Sequence, residues 1–355
     1  MTRVHQFHPV LAPGDAMSNH IVALDRRLRA WGHDAFMYAI EAKPGSDGAA
    51  GVLPYRRLFR DVRPDDLVVA HFSMGNEVFD QIAKLRARKV LVYHNITPAH
   101  FFSGINPHSA THARLGRTQL SELAPAFDLA IGVSEYNRRE LEAAGHANTA
   151  HVPIIIDWTA YDDPPDDATL ARWQGIAPIL LFVGRISPHK RQDDLVRMLA
   201  YYRRCIDANA RLVLVGGYRD QPQYHARLIA LIAALGLEAA VTLTGPVPMS
   251  VLVAHYETAT AFVSLSEHEG FGVPLLEAMR FGVPVVAYDA AAVGETAGGA
   301  ALLLKDRDLA AAAEAAGLIA ERADLRERLI AAGTVRVADF DPETIGRRTR
   351  EVLGL

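Results

Sequence analysis

The stretch that most constrains the fold reads SLSEHEGFGVPLLEAM and occupies residues 264–279. Apolar residues before it predict a buried strand, its glycines predict a loop, and Pro274 suits the first turn of a helix that follows. Gly270 and Gly272 allow the loop backbone to turn its amide groups toward an anion at the start of that helix. This order indicates a ligand-binding turn in an α/β sheet, and a simple tight turn is the alternative.

Two carboxylates flank this loop. Glu269 lies at its start, and Glu277 follows eight residues later near the start of the predicted helix. Carboxylates accept hydrogen bonds from neighbouring hydroxyls of a sugar or a ribose, whereas they are poor partners for phosphate oxygens. The pair therefore indicates that sugar-like groups flank an anion held by the loop. For Glu277, the alternative is a carboxylate that complements the positive end of the helix dipole.

A second motif, VGRISPHKRQ at residues 183–192, carries the cations. It follows an apolar run that predicts a buried strand and precedes residues with helical spacing. Ligands of doubly wound sheets bind just beyond the carboxyl ends of the strands. There Gly184 permits close approach of the backbone, Arg185 offers a planar fork of donors, and Lys190 offers a mobile point charge. Together they suit a diphosphate, and the alternative is a solvated basic loop.

Strands and helices alternate along the chain, which predicts an α/β protein with two Rossmann-like, doubly wound parallel sheets. The predicted strands are residues 4–8, 35–39, 66–70, 89–93 and 129–133 in the first half and residues 179–183, 211–215, 241–244, 261–265, 284–287 and 301–304 in the second. The predicted helices include residues 19–31, 223–235 and 309–320, and a further helix that Ser134 caps and Gly145 ends.

The acidic, proline-bearing segment at residues 162–167 favours a linker, with a surface loop as the alternative. We therefore expect one domain at residues 1–160, a second at residues 161–340, and a cleft between them. Residues 341–355 predict a final helix.

The composition narrows the class of protein. Of the 355 residues, half are apolar and 22% are charged, which excludes a largely disordered chain. The net charge of −4 argues against a nucleic-acid partner. The single cysteine, Cys205, forms no intrachain disulfide. No apolar run approaches a membrane helix, which needs about 20 residues, and no secretory signal begins the chain, so we expect a cytoplasmic protein.

Motifs of other enzyme classes are missing or incomplete. The sequence has no Gly-Lys pair for a P-loop and no Gly-x-Ser-x-Gly turn for a serine hydrolase, and the loop at Gly270 lacks the third glycine of a dinucleotide fingerprint. Two Asp-x-Asp strings, at residues 306–308 and 339–341, raise metal binding, but Asp308 and Asp341 suit helix caps better. The histidines show no metal-ligand spacing, and we expect no metal site.

The two motifs together, Gly184-Arg185 with Lys190 and Glu269-x7-Glu277, resemble those of the retaining glycosyltransferases of family GT4 (group 1), which have the GT-B fold. The resemblance extends over most of the chain. It covers residues 14–20, 93–98 and 133–139 in the first half and residues 245–248, 255–259, 282–287 and 294–296 in the second. The loop at residues 14–20 departs from the family pattern, since Gly-Asp-Ala stands where a double glycine is more usual.

The resemblance implies roles for individual residues. Arg185 and Lys190 would hold the donor diphosphate and stabilise it as it leaves, without a metal or other cofactor. Glu277 would bind the ribose hydroxyls, Glu269 and the loop amides would hold the sugar, and His94 would lie across the cleft near the scissile bond. The donor-binding residues implied in this way are Gly14, Asp15, Gly184, Arg185, Lys190, Glu269, Gly270, Phe271, Gly272 and Glu277, and the catalytic residues are His94, Arg185, Lys190 and Glu269.

The resemblance also implies a reaction. A hexose would pass, with retention of its anomeric configuration, from a nucleotide diphosphate sugar to a hydroxyl of a glycan or lipid-linked acceptor in polysaccharide or envelope glycan synthesis. The string at residues 94–98 resembles polysaccharide mannosyltransferases, so GDP-mannose is the first expected donor, with a UDP-hexose such as UDP-glucose as the alternative. Two different functions stay open, namely a GT-B nucleotide-sugar epimerase and a catalytically silent sugar-nucleotide-binding subunit of a transferase complex.

Two further expectations concern surfaces. The GT-B fold commonly returns a C-terminal helix to the first domain, and we expect residues 341–355 to do so. Basic clusters at residues 26–29, 56–63 and 84–89 suit reversible contact with anionic lipids at the inner membrane face, and solvated helix faces are the alternative. The oligomeric state stays open at this stage.

Overall fold

The computed structural model of the protein describes residues 1–43, 51–176 and 178–355. The chain forms two compact units. Unit 1 comprises Met1–His100, Pro107–Asp157 and Phe340–Leu355, and unit 2 comprises Phe101–Asn106 and Trp158–Asp339. Each unit contains its own parallel sheet, which confirms the predicted α/β class.

Unit 1 alternates strands and helices through most of its length. Its elements up to residue 151 are β1 (Arg3–Phe7), β2 (Val10–Leu11), α1 (Ala16–Ala30), β3 (Asp34–Ala39), β4 (Glu41–Ala42), β5 (Val52–Pro54), α2 (Leu58–Asp61), β6 (Leu67–Phe72), α3 (Glu77–Ala83), β7 (Arg88–Tyr93), α4 (Pro107–Glu122), β8 (Leu129–Gly132), α5 (Glu135–Ala143) and β9 (Thr149–His151). Seven strands form a parallel sheet in the order β5-β3-β1-β6-β7-β8-β9.

The strand order of unit 1 reverses between β1 and β6. The chain winds outward from β1 through β3 to β5, and then returns to add β6 on the other side of β1. In doubly wound sheets, ligands bind beyond the carboxyl ends of the strands at such a switch point. Every residue of β6 is buried, as expected for a central parallel strand with both faces covered.

Unit 2 repeats this arrangement. Its elements are α6 (Asp167–Trp173), β10 (Ile179–Val183), α7 (Gln192–Cys205), β11 (Arg211–Val215), α8 (Pro222–Ala234), β12 (Val241–Gly245), α9 (Met249–Thr258), β13 (Ala261–Ser264), α10 (Val273–Arg280), β14 (Val285–Tyr288), α11 (Val293–Ala297), β15 (Ala301–Leu304), α12 (Leu309–Glu321) and α13 (Ala323–Ala338). The sheet order is β12-β11-β10-β13-β14-β15, so the switch point lies between β10 and β13.

The final helix, α14 (Pro342–Leu353), belongs to unit 1. Asp341 caps it by accepting a hydrogen bond from the Thr344 amide at 2.8 Å. The buried Leu353 and an ion pair of 2.7 Å between Arg27 and Glu343 attach this helix to the rest of the unit. In unit 2, Asp308 likewise accepts from two amides at the start of α12, so both Asp-x-Asp strings serve as the predicted caps.

The acidic segment at residues 162–167 is not the link between the units. The division falls between Asp157 and Trp158, and the segment lies wholly within unit 2. Asp162 pairs there with Arg280 at 2.8 Å, and Asp166 caps α6. The segment is therefore a surface loop of unit 2 in which Asp162 forms an ion pair and Asp166 caps a helix, which was the alternative interpretation of this sequence.

The remaining predicted elements lie close to those observed. The first helix begins three residues earlier than predicted, at Ala16, because Asp15 caps it by accepting from the Ser18 amide at 3.0 Å. Among the residues that the structure describes, no helix combines the length and apolar character that crossing a bilayer requires.

Candidate functional site

In unit 2, residues 264–279 run from the last residue of strand β13 through a glycine loop into helix α10. Gly272 has φ +97° immediately before α10, and a Cβ at this position would approach Leu275 to 3.1 Å. Pro274 lies in the first turn of the helix, as predicted. Because an L-residue with a side chain rarely adopts this φ, Gly272 is the residue that allows the loop to enter the helix in this way.

Lys190 and Glu269 form an ion pair at the carboxyl edge of the sheet in unit 2. The Lys190 Nζ lies 2.6 Å and 2.5 Å from the two carboxylate oxygens of Glu269, and both side chains are largely buried. Lys190 follows β10 and Glu269 follows β13, the neighbouring strands on either side of the switch point. The Glu267 amide donates to the His189 carbonyl at 2.8 Å, which ties the two loops together. The structure thus unites two residues that lie 79 positions apart in the sequence.

Arg185 lies at the same edge but in a different environment. Its side chain is 68% exposed, and its guanidinium is 3.8 Å from the Asp220 carboxylate. Gly216 allows the neighbouring segment to approach the preceding Gly184 closely, because a Cβ on Gly216 would lie only 2.1 Å from the Gly184 carbonyl oxygen. Arg185 therefore keeps an extended, solvated guanidinium at the strand end, where it is accessible to an anion.

The surroundings of Glu277 differ from those expected from the sequence. It is buried, and each of its carboxylate oxygens accepts a hydrogen bond from a tyrosine hydroxyl, one from Tyr161 and the other from Tyr256 at 2.5 Å. Burial raises the pKa of Glu277, and the two tyrosine hydrogen bonds act in the opposite direction. Sequence reasoning missed both tyrosines as partners, although Tyr256 lies in a segment already identified by resemblance.

In unit 1, His94 follows β7 at the carboxyl edge of the sheet. Its amide donates to the Phe72 carbonyl at 2.9 Å, and Asn95 beside it has φ +79°. The His94 Nε2 lies 3.0 Å from the His71 Nδ1, and the ring of His20 is centred 5.5 Å away. The sequence predicted His94 alone, because these three histidines come from separate elements.

Burial keeps this histidine cluster uncharged. Desolvation is the largest cause that lowers the pKa of each ring, and it lowers the pKa of His20 to about 4. The neighbouring histidines lower the pKa values of His71 and His94 further. One nitrogen from each of the three rings lies within 4.8 Å of the others, so within the described ranges this cluster is the group to compare with a metal site.

Gly14 and Asp15 lie at the start of α1, also in unit 1. Gly14 has φ +68°, and the Asp15 carboxylate accepts from both the amide and the hydroxyl of Ser18, at 3.0 Å and 2.9 Å. The carboxylate therefore serves as the helix cap. Donor binding by these two residues stays a prediction.

Residues 172–336 match the family model described as "Glycosyl transferases group 1". One relative is a D-inositol 3-phosphate glycosyltransferase of Nocardia farcinica, 32% identical over 277 residues that cover 74% of this chain and 60% of the relative. Another is a GDP-mannose-dependent alpha-(1-6)-phosphatidylinositol monomannoside mannosyltransferase of Mycobacterium tuberculosis, 31% identical over 64% of each chain. This chain thus spans about 60% of the length of these two relatives.

Solved structures match over the full length. Sucrose-phosphate synthase of Thermosynechococcus elongatus has a TM-score of 0.78 at 18% identity and covers 99% of this chain, with 98% of its own length matched. Anabaena HepE, in complex with UDP and glucose, has a TM-score of 0.78 at 19% identity, with both chains fully covered. The described residues therefore have the GT-B fold. Residues 172–336 match the group 1 glycosyltransferases, the family that the two motifs resemble.

Proposed function

We propose that this protein is a retaining hexosyltransferase that uses a nucleotide diphosphate sugar and a hydroxyl acceptor. The observation that carries the proposal is the Lys190–Glu269 pair, held at the switch point of unit 2 beside the glycine loop and the start of α10. This edge combines a cation for a phosphate, a carboxylate for sugar hydroxyls, and backbone amides that can face an anion.

Lys190 and Arg185 would stabilise the departing diphosphate. Cleavage of the bond between the sugar and the phosphate builds negative charge on the diphosphate, and preorganised cations lower the energy of that transition state. Lys190 has three N–H donors and uses two directions toward Glu269, so the third is available to a phosphate oxygen. No metal or other cofactor is part of this proposal, because these two side chains supply the positive charge.

Glu277 would bind the ribose through the acceptor capacity that its tyrosine partners leave. Each carboxylate oxygen has two lone-pair directions, and one tyrosine hydroxyl occupies one of them on each oxygen. The tyrosines also favour the ionised form of Glu277 against its burial. Tyr161 and Tyr256 therefore support the ribose role because their hydrogen bonds favour the charged form of a buried carboxylate and orient it.

We propose that transfer retains the anomeric configuration by attack of the acceptor from the face that the diphosphate leaves. The sequence suggests no enzyme nucleophile, and His94 is proposed to contact the donor sugar instead of forming a bond to it. An uncharged imidazole suits that role, since it hydrogen-bonds a hydroxyl without adding charge.

For the donor we propose GDP-mannose, with UDP-glucose as the alternative. The mannosyltransferase relative is named as GDP-mannose-dependent, whereas HepE was solved with UDP-glucose. The names of both curated relatives include inositol, so we propose an inositol-containing or other glycan hydroxyl as the acceptor, free or linked to a lipid.

We propose that the reaction takes place in the cytoplasm, with reversible contact at an anionic membrane face. Arg56, Arg57, Arg60 and Arg63 are exposed in unit 1 and could attract acidic lipids. Flotation with vesicles that contain anionic lipid tests this part separately. Salt-sensitive binding is expected, and no binding at low salt would contradict it.

A transfer assay tests the proposed function. The protein is incubated with GDP-mannose, UDP-glucose and other sugar nucleotides, each with inositol phosphates and phosphatidylinositol-based acceptors. Mass spectrometry identifies the product, and NMR of the new linkage gives its anomeric configuration. A glycosylated acceptor with the donor's configuration is expected. A changed sugar released without acceptor would indicate an epimerase, and donor binding without turnover would indicate a silent binding subunit.

A further inference from the structure

The centre of unit 1 contains a row of buried polar side chains that the proposed function leaves without a role. Gln6 lies on β1 and His71 on β6, the two strands at the switch point, and both side chains are fully buried. His71 is in turn hydrogen-bonded to His94 at the sheet edge. Burying polar groups in the middle of a sheet is unfavourable unless each is hydrogen-bonded, so these contacts determine where the protons lie.

A backbone carbonyl at one end of the row determines which atoms donate and which accept its hydrogen bonds. The Ile21 carbonyl oxygen only accepts hydrogen bonds, so the Gln6 atom 3.2 Å from it is the amide nitrogen. The amide oxygen of Gln6 consequently faces the His71 Nε2 at 3.1 Å. Because that oxygen also only accepts, the His71 Nε2 carries a proton.

The same logic continues from His71 to His94. His71 is neutral, since burial holds its pKa well below the usual value, and a neutral imidazole has a proton on one nitrogen only. Its Nδ1 is therefore a bare acceptor, and the His94 Nε2, 3.0 Å away, donates to it. His94 is also neutral, so its Nδ1 is left with a bare lone pair. That atom is buried and has no hydrogen-bond partner within the part of the chain that the structure describes.

We propose that Gln6 and His71 are positioning residues that fix His94 as the Nε2–H tautomer and so present its Nδ1 as a hydrogen-bond acceptor for a hydroxyl of the sugar substrate. A bare lone pair attracts an O–H group and repels the oxygens of a diphosphate. The identity of the ligand rests on the proposed function, whereas the tautomer does not.

Metal binding by the cluster is the competing use of the same nitrogens. The His20 Nδ1 accepts from the Ile155 amide at 3.0 Å, so the proton of a neutral His20 lies on Nε2 and neither nitrogen has a lone pair to spare. The His71 Nδ1 is likewise occupied by His94. A metal ion would have to replace these hydrogen bonds, and for this reason we favour the hydrogen-bonded row.

The tautomer of His94 can be determined on the wild-type protein. After labelling with ¹⁵N-histidine, long-range ¹H–¹⁵N correlation spectra distinguish protonated from bare ring nitrogens, and a His94→Phe variant assigns the His94 signals. We expect His71 and His94 to show a proton on Nε2 and a bare Nδ1 from pH 6 to 8. A proton on the His94 Nδ1, an imidazolium at pH 7, or Zn²⁺ that binds stoichiometrically and shifts these signals would overturn the proposal.

Two matched variants test the positioning role. Gln6→Met removes the acceptor that orients His71, and Gln119→Met removes another fully buried glutamine of unit 1, one that bonds Asn76 and Asp80 away from the histidines. We expect Gln6→Met to mix the His94 tautomers and lower kcat/KM for the sugar nucleotide about tenfold, while binding of the nucleoside diphosphate alone is unchanged. The Gln119 variant should retain both the wild-type spectrum and kcat/KM.

The outcomes separate this proposal from the proposed function. Equal effects of the two glutamine variants, or an unaltered spectrum and kcat/KM in Gln6→Met, would overturn the positioning role. Wild-type protein with the expected tautomer but without transfer to any acceptor would overturn the proposed function and, with it, the sugar hydroxyl as the ligand of His94.

Discussion

The two sheets present opposite chemistry at corresponding places. At the switch point of unit 2, the strand ends carry the charged pair of Lys190 and Glu269. In unit 1, the two switch-point strands carry Gln6 and His71, which form an uncharged hydrogen-bonded row with His94, the residue that follows β7. Since the two sheets have a similar strand arrangement, the difference in charge comes from the side chains. Charged groups suit a charged diphosphate, whereas neutral acceptors suit hydroxyl groups.

The largest effect is expected from removing the positive charge at the switch point of unit 2. Lys190→Ala removes the cation proposed to stabilise the departing diphosphate, and kcat should fall by roughly 10²-fold or more. Steady-state kinetics with the sugar nucleotide measure this loss. Lys305→Ala, which removes an exposed lysine of the same unit, is the control and should leave kcat unchanged. A Lys190 variant with the wild-type rate would refute the assigned role.

Removing Glu277 should weaken nucleotide binding itself. Glu277→Ala eliminates the proposed ribose acceptor and also leaves the hydroxyls of Tyr161 and Tyr256 without their buried partner. We expect GDP or UDP to bind about tenfold more weakly, together with a lower melting temperature. Glu277→Gln keeps one acceptor oxygen and should lose less of both. If calorimetry shows equal nucleotide affinity for the folded Ala variant, the ribose assignment is wrong.

The uncharged histidines of unit 1 predict that the stability of the protein depends on pH. The pKa of buried His20 is about 4 in the folded protein, below the 6.5 of an exposed histidine. Between these values the unfolded chain takes up a proton that the folded chain does not, so the free energy of unfolding decreases as pH falls.

The slope from His20 is about 1.4 kcal/mol per pH unit well inside that window. In His20→Asn, urea denaturation between pH 6 and 5 should therefore show a dependence on pH that is shallower by about this amount. An identical slope in the variant and the wild type would mean that His20 is protonated in the folded protein.

The smallest effect concerns the ionised form of Glu277 in nucleotide binding. Tyr256→Phe removes one of the two hydrogen bonds that lower the pKa of this buried carboxylate, so that pKa should rise further. Nucleotide binding that depends on the ionised form is lost as pH falls through the pKa, and in the variant this loss should begin at higher pH. Calorimetric affinities from pH 5 to 8 measure the shift, and superimposable profiles would argue against a charged Glu277 in binding.

The two sites differed in how far the sequence could predict them. Glu269 and the glycine loop are contiguous, and the strand–loop–helix order fixes their place at a sheet edge, so this half of the site was visible as a pattern. Gln6 and His71 are 65 residues apart and lie within buried strands, where the pattern indicates only burial. Their pairing depends on β1 and β6 becoming neighbours, which follows from the topology and not from the spacing.

Tertiary contacts also explain the remaining differences. The partners of Glu277 come from a short turn at Tyr161 and from α9, 116 and 21 residues away, so no local motif could reveal them. The acidic segment at residues 162–167 was ambiguous for a related reason. Exposed carboxylates and prolines characterise both linkers and surface loops, and only its contacts with unit 2 distinguish the two.

The most direct test of the central claim is calorimetric titration with GDP-mannose, UDP-glucose, UDP-GlcNAc and ADP- and dTDP-sugars, each with and without EDTA. We expect saturable binding of one sugar nucleotide that EDTA does not change, because Lys190 and Arg185 supply the positive charge. Binding of none of these compounds, or binding only in the presence of a divalent metal, would contradict it.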